Sequence, residues 1–173
     1  MSPHPRIYLA GPLGFTAAGR AFHDAEVVAR VRAAGYEPLD PWVVPPSIER
    51  AFALPKGDPN RPAALRKANR AAGKRNAEMI AACDAVLAVL DGSDVDSGTA
   101  AEIGYAAALR KPVVGLRMDT RSAGDNEETI VNLQVEWFIR ASGGSIVCTD
   151  VDGALAALAK ALRKPSRSLT RTA

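Results

Sequence analysis

The chain has 173 residues, 47% of them hydrophobic, enough for one domain with a full core and too few for two comfortable ones. Four of its 22 basic residues, Arg163, Lys164, Arg167 and Arg171, fall in a C-terminal tail without acids; 18 basic and 19 acidic residues remain elsewhere, so the net charge of +3 belongs to the tail and no nucleic-acid surface is indicated. The two cysteines, Cys83 and Cys148, lie in or beside apolar runs, the two histidines have no metal-binding spacing, and no apolar stretch reaches signal or transmembrane length; disulfide, metal and membrane readings are set aside and a cytoplasmic protein is expected.

Residues 6–10 read as a first strand, closed by the turn Gly11-Pro12-Leu13-Gly14, and residues 18–34 carry a helical repeat through Phe22, Val27, Val28 and Val31 that Gly35 ends. A second strand covers 36–40. Pro45, Pro46, Pro55 and Pro59 make 43–61 largely loop. An alanine-rich helix over about 62–82, with proline in its first turn, leads into residues 84–90, whose unbroken apolar run predicts a strand buried on both faces of a parallel sheet. A helix from near Gly98 to Arg110, a strand over 113–116, a polar loop over 119–128, a short helix within 130–139, a strand over 145–148 and a closing helix over 151–162 complete the pattern. Five strands alternating with helices predict an α/β fold: a flavodoxin-like or Rossmann-like three-layer sandwich around a mostly parallel five-stranded sheet. The domain is expected to span residues 1–162, with 163–173 expected to form a basic, disordered tail.

The chemistry is concentrated after the 84–90 strand, at the sheet edge where ligands of open α/β folds collect. Asp91, Asp94, Asp96 and Glu102 place four carboxylates within twelve residues. Their mutual repulsion needs an offset, for which a bound ligand with hydroxyl groups is one candidate. Against this stands the spacing of Thr99 and Glu102, which is that of a capping box in which the glutamate bonds back to the helix start. The Gly11 turn lacks the dinucleotide-binding spacing and no Walker sequence follows, so it is either a ligand cradle or a plain strand-to-helix turn. Tyr8 reaches Glu102 if the first strand adjoins the third; Trp42, after Pro41, is a hydrophobic lid or a stacking face for a planar ring.

Three segments, IYLAGP at 7–12, PLDPW at 38–42 and DVDSGTAAEIGYA at 94–106, resemble the nucleoside 2-deoxyribosyltransferase family, with the Asn132-Leu133 pair as further support. The resemblance covers roughly residues 6–148 and implies cofactor-free transfer of 2-deoxyribose between nucleobases, by double displacement with retention. It implies Glu102 as the nucleophile, Tyr8 as the residue that orients it, Asp96 at the sugar's 5′ end, with Gly98 in the same motif, and Asp40 and Trp42 facing the base. Asn132 is implied to complete a neighbouring subunit's site, which makes the protein a homo-oligomer, at least a dimer. Where the family often has an aspartate, this chain has Asn76, an amide that can bond a base but cannot act as a general acid. Two other readings share these residues: an N-glycosidase that lets water open the same intermediate on a nucleoside or its 5′-monophosphate, and a nucleoside-binding module without chemistry.

Overall fold

The computed structural model describes residues 4–163. Five strands, β1 (Arg6–Ala10), β2 (Glu37–Leu39), β3 (Ala85–Val89), β4 (Val113–Leu116) and β5 (Ser145–Val147), form one sheet in the order β2-β1-β3-β4-β5. Every pairing is parallel, which is the flavodoxin-like order expected from the alternation of elements. Residues of β3 are all buried, in keeping with their unbroken apolar run.

The period-two geometry of the strands divides the core into two layers. Tyr8, Ala10, Val86 and Ala88 pack with Ile80, Ile103, Val135 and Ile139 of helices α4 (Arg61–Ala82), α5 (Ser97–Ala108) and α6 (Leu133–Ala141). Ile7, Leu9, Ala85 and Leu87 face the other way, toward Val27, Val28 and Val31 and toward Val151, Ala154 and Leu158 of helix α7 (Val151–Leu162). Sliding β1 by one residue would move Tyr8 to the wrong layer, so its hydrophobic neighbours fix where its hydroxyl emerges.

The predicted helix over 18–34 is present but not uniform: α1 (Ala17–Phe22) and α2 (Ala29–Ala33) flank a π-helical segment at His23–Val28. It ends as expected at Gly35, whose φ of 85° lets Gly35 N–H and Tyr36 N–H bond back to Arg32 and Val31 carbonyls. The 43–61 stretch is a correction. It contains helix α3 (Pro46–Ala53), because Pro46 sits at the first helical position, where a missing N–H costs nothing, and Ile48 and Ala51 bury against Ala68 of α4. The 130–139 helix begins later than its predicted range, at Leu133, because Asn132 caps it. No helix among the described residues is long and apolar enough to cross a membrane. The tail beyond Arg163 lies outside the described residues.

Candidate active site

Tyr8 and Glu102 meet because β1 lies beside β3, and β3 feeds the helix that carries the glutamate. Tyr8 Oη donates to Glu102 Oε1 at 2.6 Å, and Asn76 Nδ2, from α4, donates to the same oxygen at 3.4 Å. Glu102 Oε2 has no protein partner in the described residues. Burial pushes the Glu102 carboxyl above its ordinary range, the two donated bonds pull it back, and the charge of Asp96 adds to the rise. Burial, then the charge and hydrogen bond of Glu102, pushes the Tyr8 phenol far up, with Arg75 opposing, so the phenol stays protonated and keeps donating.

The capping-box expectation is overturned. Asp96 is the N-cap of α5, its Oδ2 accepting from Thr99 N at 3.0 Å and Thr99 Oγ1 at 3.2 Å, while Thr99 is buried inside the helix. Glu102 is thereby free of any backbone duty. Gly98 lies in that first turn, where an added Cβ would stand 3.1 Å from Asp96 Oδ2.

The acidic loop is offset largely by the protein itself, which removes the need for a ligand to do so. Asp91 Oδ1 accepts from Met118 N and Asp119 N at 2.6 and 2.9 Å. Asp94 bonds the adjacent Val95 N–H. Arg117, buried at the end of β4, donates to the Leu90, Gly92 and Arg121 carbonyls at 2.7, 3.2 and 2.6 Å. Neither Arg117 nor its role was visible as a motif; an arginine ending an apolar strand was the only signal.

A second cluster sits at the end of β2. Asp40 Oδ2 meets His23 Nε2 at 3.1 Å and its Oδ1 accepts from Trp42 N at 2.9 Å. Burial acts to raise the Asp40 carboxyl, but the bonds from His23 and Trp42 outweigh it and hold it below its ordinary value. The Trp42 ring contacts Phe15 edge to face at 4.8 Å and lies under Arg20 at 5.3 Å. A Cβ on Gly14 would fall 2.0 Å from that ring. Arg75, next to Asn76 on α4, donates to the Pro41 and Asp40 carbonyls, both at 3.4 Å. His23 and Arg75 were missed as site residues. His23 shares a helix stripe with Val27 and Val31, and a polar group on an apolar stripe signals a buried partner.

Gly11 follows β1 with φ 153°, and a side chain there would press on Val89 of β3 at 3.0 Å, so both conformation and packing call for glycine whether or not the turn cradles a ligand. Asn132 has no hydrogen bond to Tyr8, Asn76 or Glu102: its Oδ1 accepts from Gln134 N and Val135 N, and its Nδ2 reaches Asp125 at 3.4 Å. His23, Asp24 and Asp40 place three ligand-type atoms within 4.8 Å, but His23 and Asp40 are spent on each other and Asp24 is exposed.

A family model described as nucleoside 2-deoxyribosyltransferase matches residues 7–134. The chain belongs to that family. No individually curated protein matches it. Among solved structures, a conserved protein from Enterococcus faecalis V583 is 25% identical with a TM-score of 0.64, covering 91% of this chain and 98% of that one. A 2-deoxyribosyltransferase from Leishmania mexicana is 28% identical with a TM-score of 0.57, covering 91% and 97%. A CMP N-glycosidase from Clostridium botulinum, at 16% identity and a TM-score of 0.54 over 89% and 98%, shares the fold. This nucleoside 2-deoxyribosyltransferase family member is thus an enzyme of the deoxyribosyltransferase or N-glycosidase kind.

The Tyr8 bond stabilises the charged form of Glu102, so its loss raises the glutamate's pKa further. Tyr8→Phe is expected to lower kcat/KM at neutral pH by about 10- to 100-fold, the worth of a hydrogen bond to a charge. The acidic limb of the pH profile of kcat/KM moves to higher pH; a limb left in place or moved lower contradicts this role.

Proposed function

We infer that the protein transfers 2-deoxyribose between nucleobases by a retaining double displacement through a deoxyribosyl ester on Glu102. The observation that carries this reading is the 2.6 Å Tyr8–Glu102 bond, which occupies one carboxylate oxygen and leaves Oε2 for the anomeric carbon. As the C1′–N bond breaks, its electron pair leaves with the base, and the carboxylate stabilises the oxocarbenium character before closing the ester. A second base then attacks C1′ from the opposite face as the C1′–Oε2 ester bond breaks and its electron pair returns to the Glu102 carboxylate; the base loses its N–H proton to solvent, and the original configuration is restored. Glu102→Ala is expected to abolish exchange between a deoxynucleoside and a free base, measured by chromatography; substantial residual exchange sinks the assignment.

The second reading, supported by the fold shared with an N-glycosidase, is that water opens the same ester. Free deoxyribose formed at the same rate with and without acceptor base identifies it.

Asp96 at the sugar's 5′ end would accept a bond from a 5′-hydroxyl and repel a 5′-phosphate, so free nucleosides are the favoured substrates. Serine also caps helices, so Asp96→Ser retains the α5 start while removing the charge. The expected result is a rise in KM for deoxynucleosides of about tenfold and a narrower preference over 5′-monophosphates. An unchanged preference refutes the role.

A homo-oligomer is supported by apolar side chains on neighbouring helices: Tyr105 and Leu109 of α5, and Leu133 and Trp137 of α6, are 38–64% exposed, with Asn132 beside them. Trp137→Glu is expected to shift sedimentation from dimer or larger toward monomer. A parent protein that sediments as a monomer at micromolar concentration removes the proposal.

A further inference from the structure

The Asp40–Trp42 turn is gripped from both layers of the fold, and nothing in the Glu102 chemistry uses that grip. From one side comes His23, 3% exposed, carried on the π-helical segment of the α1–α2 helix. A π turn inserts a residue into the helical repeat and redirects the side chains around it, a device common at functional sites. His23 Nε2 holds Asp40 Oδ2, and Asp40 Oδ1 holds the Trp42 backbone N–H. From the other side comes Arg75 of α4, donating to the Asp40 and Pro41 carbonyls. Asn76, the next residue, is bonded to Glu102. The turn is therefore tied through two adjacent residues of one helix to the oxygen that Tyr8 also holds. The Trp42 ring, in turn, is backed by Gly14, Phe15 and Arg20, so its position is set by its surroundings as well as by its backbone.

We propose that His23 is a positioning residue which, through Asp40, fixes Trp42 as the wall against which the nucleobase rests. This rests on the transferase reading only in naming the base as the occupant. Asp40 then serves the base at one remove: both its oxygens are engaged with protein groups, and it acts by holding Trp42. A positioning role of this kind affects how well the base is held in both ground and transition states, so it appears in KM and leaves kcat nearly unchanged.

The chain has two tryptophans, so Trp137→Phe leaves Trp42 as the sole reporter. In that background, a free purine or pyrimidine base is expected to quench Trp42 fluorescence saturably. His23→Met fills the buried volume but has no donor; it is expected to raise KM and the quenching midpoint about tenfold, the low end of what a lost hydrogen bond to a charge costs because the effect reaches the base through Asp40, with kcat within about twofold. His23→Gln restores an N–H donor and recovers most of the loss. Asp40→Asn, altered on the other side of the same bond, gives an intermediate effect and covers the case in which His23→Met fails to fold. Three results overturn the proposal: base exchange proceeding with no Trp42 quenching; unchanged KM and midpoint in all variants; or equal losses in Met and Gln variants confined to kcat. Saturable quenching without exchange or hydrolysis of any deoxynucleoside leaves the wall in place and instead removes the transferase reading.

Discussion

The structure depends on one constraint: a partly buried carboxylate must be held in place by partners that carry no charge of their own. A buried charge is costly unless hydrogen bonds or opposite charges compensate it. At Glu102 the compensation comes from a phenol and an amide, both neutral, and both on the same oxygen. An ammonium or guanidinium at this point would hold the charge more firmly and would blunt the nucleophile that the proposed reaction requires. Burial keeps the carboxyl above its ordinary range, and the neutral pair orients it while only partly offsetting that rise. Sheet order follows from this need, because β1 must lie beside β3 for Tyr8 to reach α5, and the 2-1-3-4-5 arrangement puts it there.

The same economy governs the aspartates of the β3–α5 loop. Read as a group, Asp91, Asp94 and Asp96 suggest a charged ligand site; taken singly, they divide into different tasks. Asp91 receives two N–H groups after β4, Asp94 closes its own turn, and Asp96 caps α5. With the cap supplied three residues before Thr99, the first turn of α5 is satisfied without Glu102, and the helix can present that side chain to the cleft. The N-terminal dipole of α5 also favours the negative charge of Asp96 at that end.

Much of this was legible in the residue pattern, for identifiable reasons. The unbroken apolar run at 84–90 and the helix–strand alternation determine a parallel sheet, and the adjacency of β1 and β3 makes the Tyr8–Glu102 contact foreseeable. What escaped were features whose signals are ambiguous or non-local. Prolines at 45 and 46 mark a loop or a helix start equally well, and only burial of Ile48 and Ala51 on α4 selects the helix α3. The Thr99–Glu102 spacing fits a capping box, and only the chain's path, with Asp96 outside helical geometry and its side chain bonded to Thr99 N–H, shows that the helix begins earlier. The stripe of His23, Val27 and Val31 signals a buried partner without naming it, and Asp40 lies 17 residues away on another element.

In the proposed reaction, the groups around Glu102 also bear on where the departing base finds its proton. Tyr8 has committed its hydrogen to Glu102, Asn76 is an amide, Asp96 is occupied in part by Thr99, and Asp40 is bonded on both oxygens. Among the described residues, then, none of these groups offers a spare acidic proton to the leaving nitrogen, and solvent becomes its source. A deoxyribosyl group tolerates this, because without a 2′-hydroxyl its C1′ cation forms more readily and asks less of the leaving group. Symmetry adds a further reason. Exchange runs the same step in both directions, so a proton donor tuned to expel one base would have to be retuned to admit the next, whereas solvent serves both. In that proposal the carboxylate and its two neutral donors carry the chemistry among the described residues, and the surrounding turns act by placing the base and sugar against it.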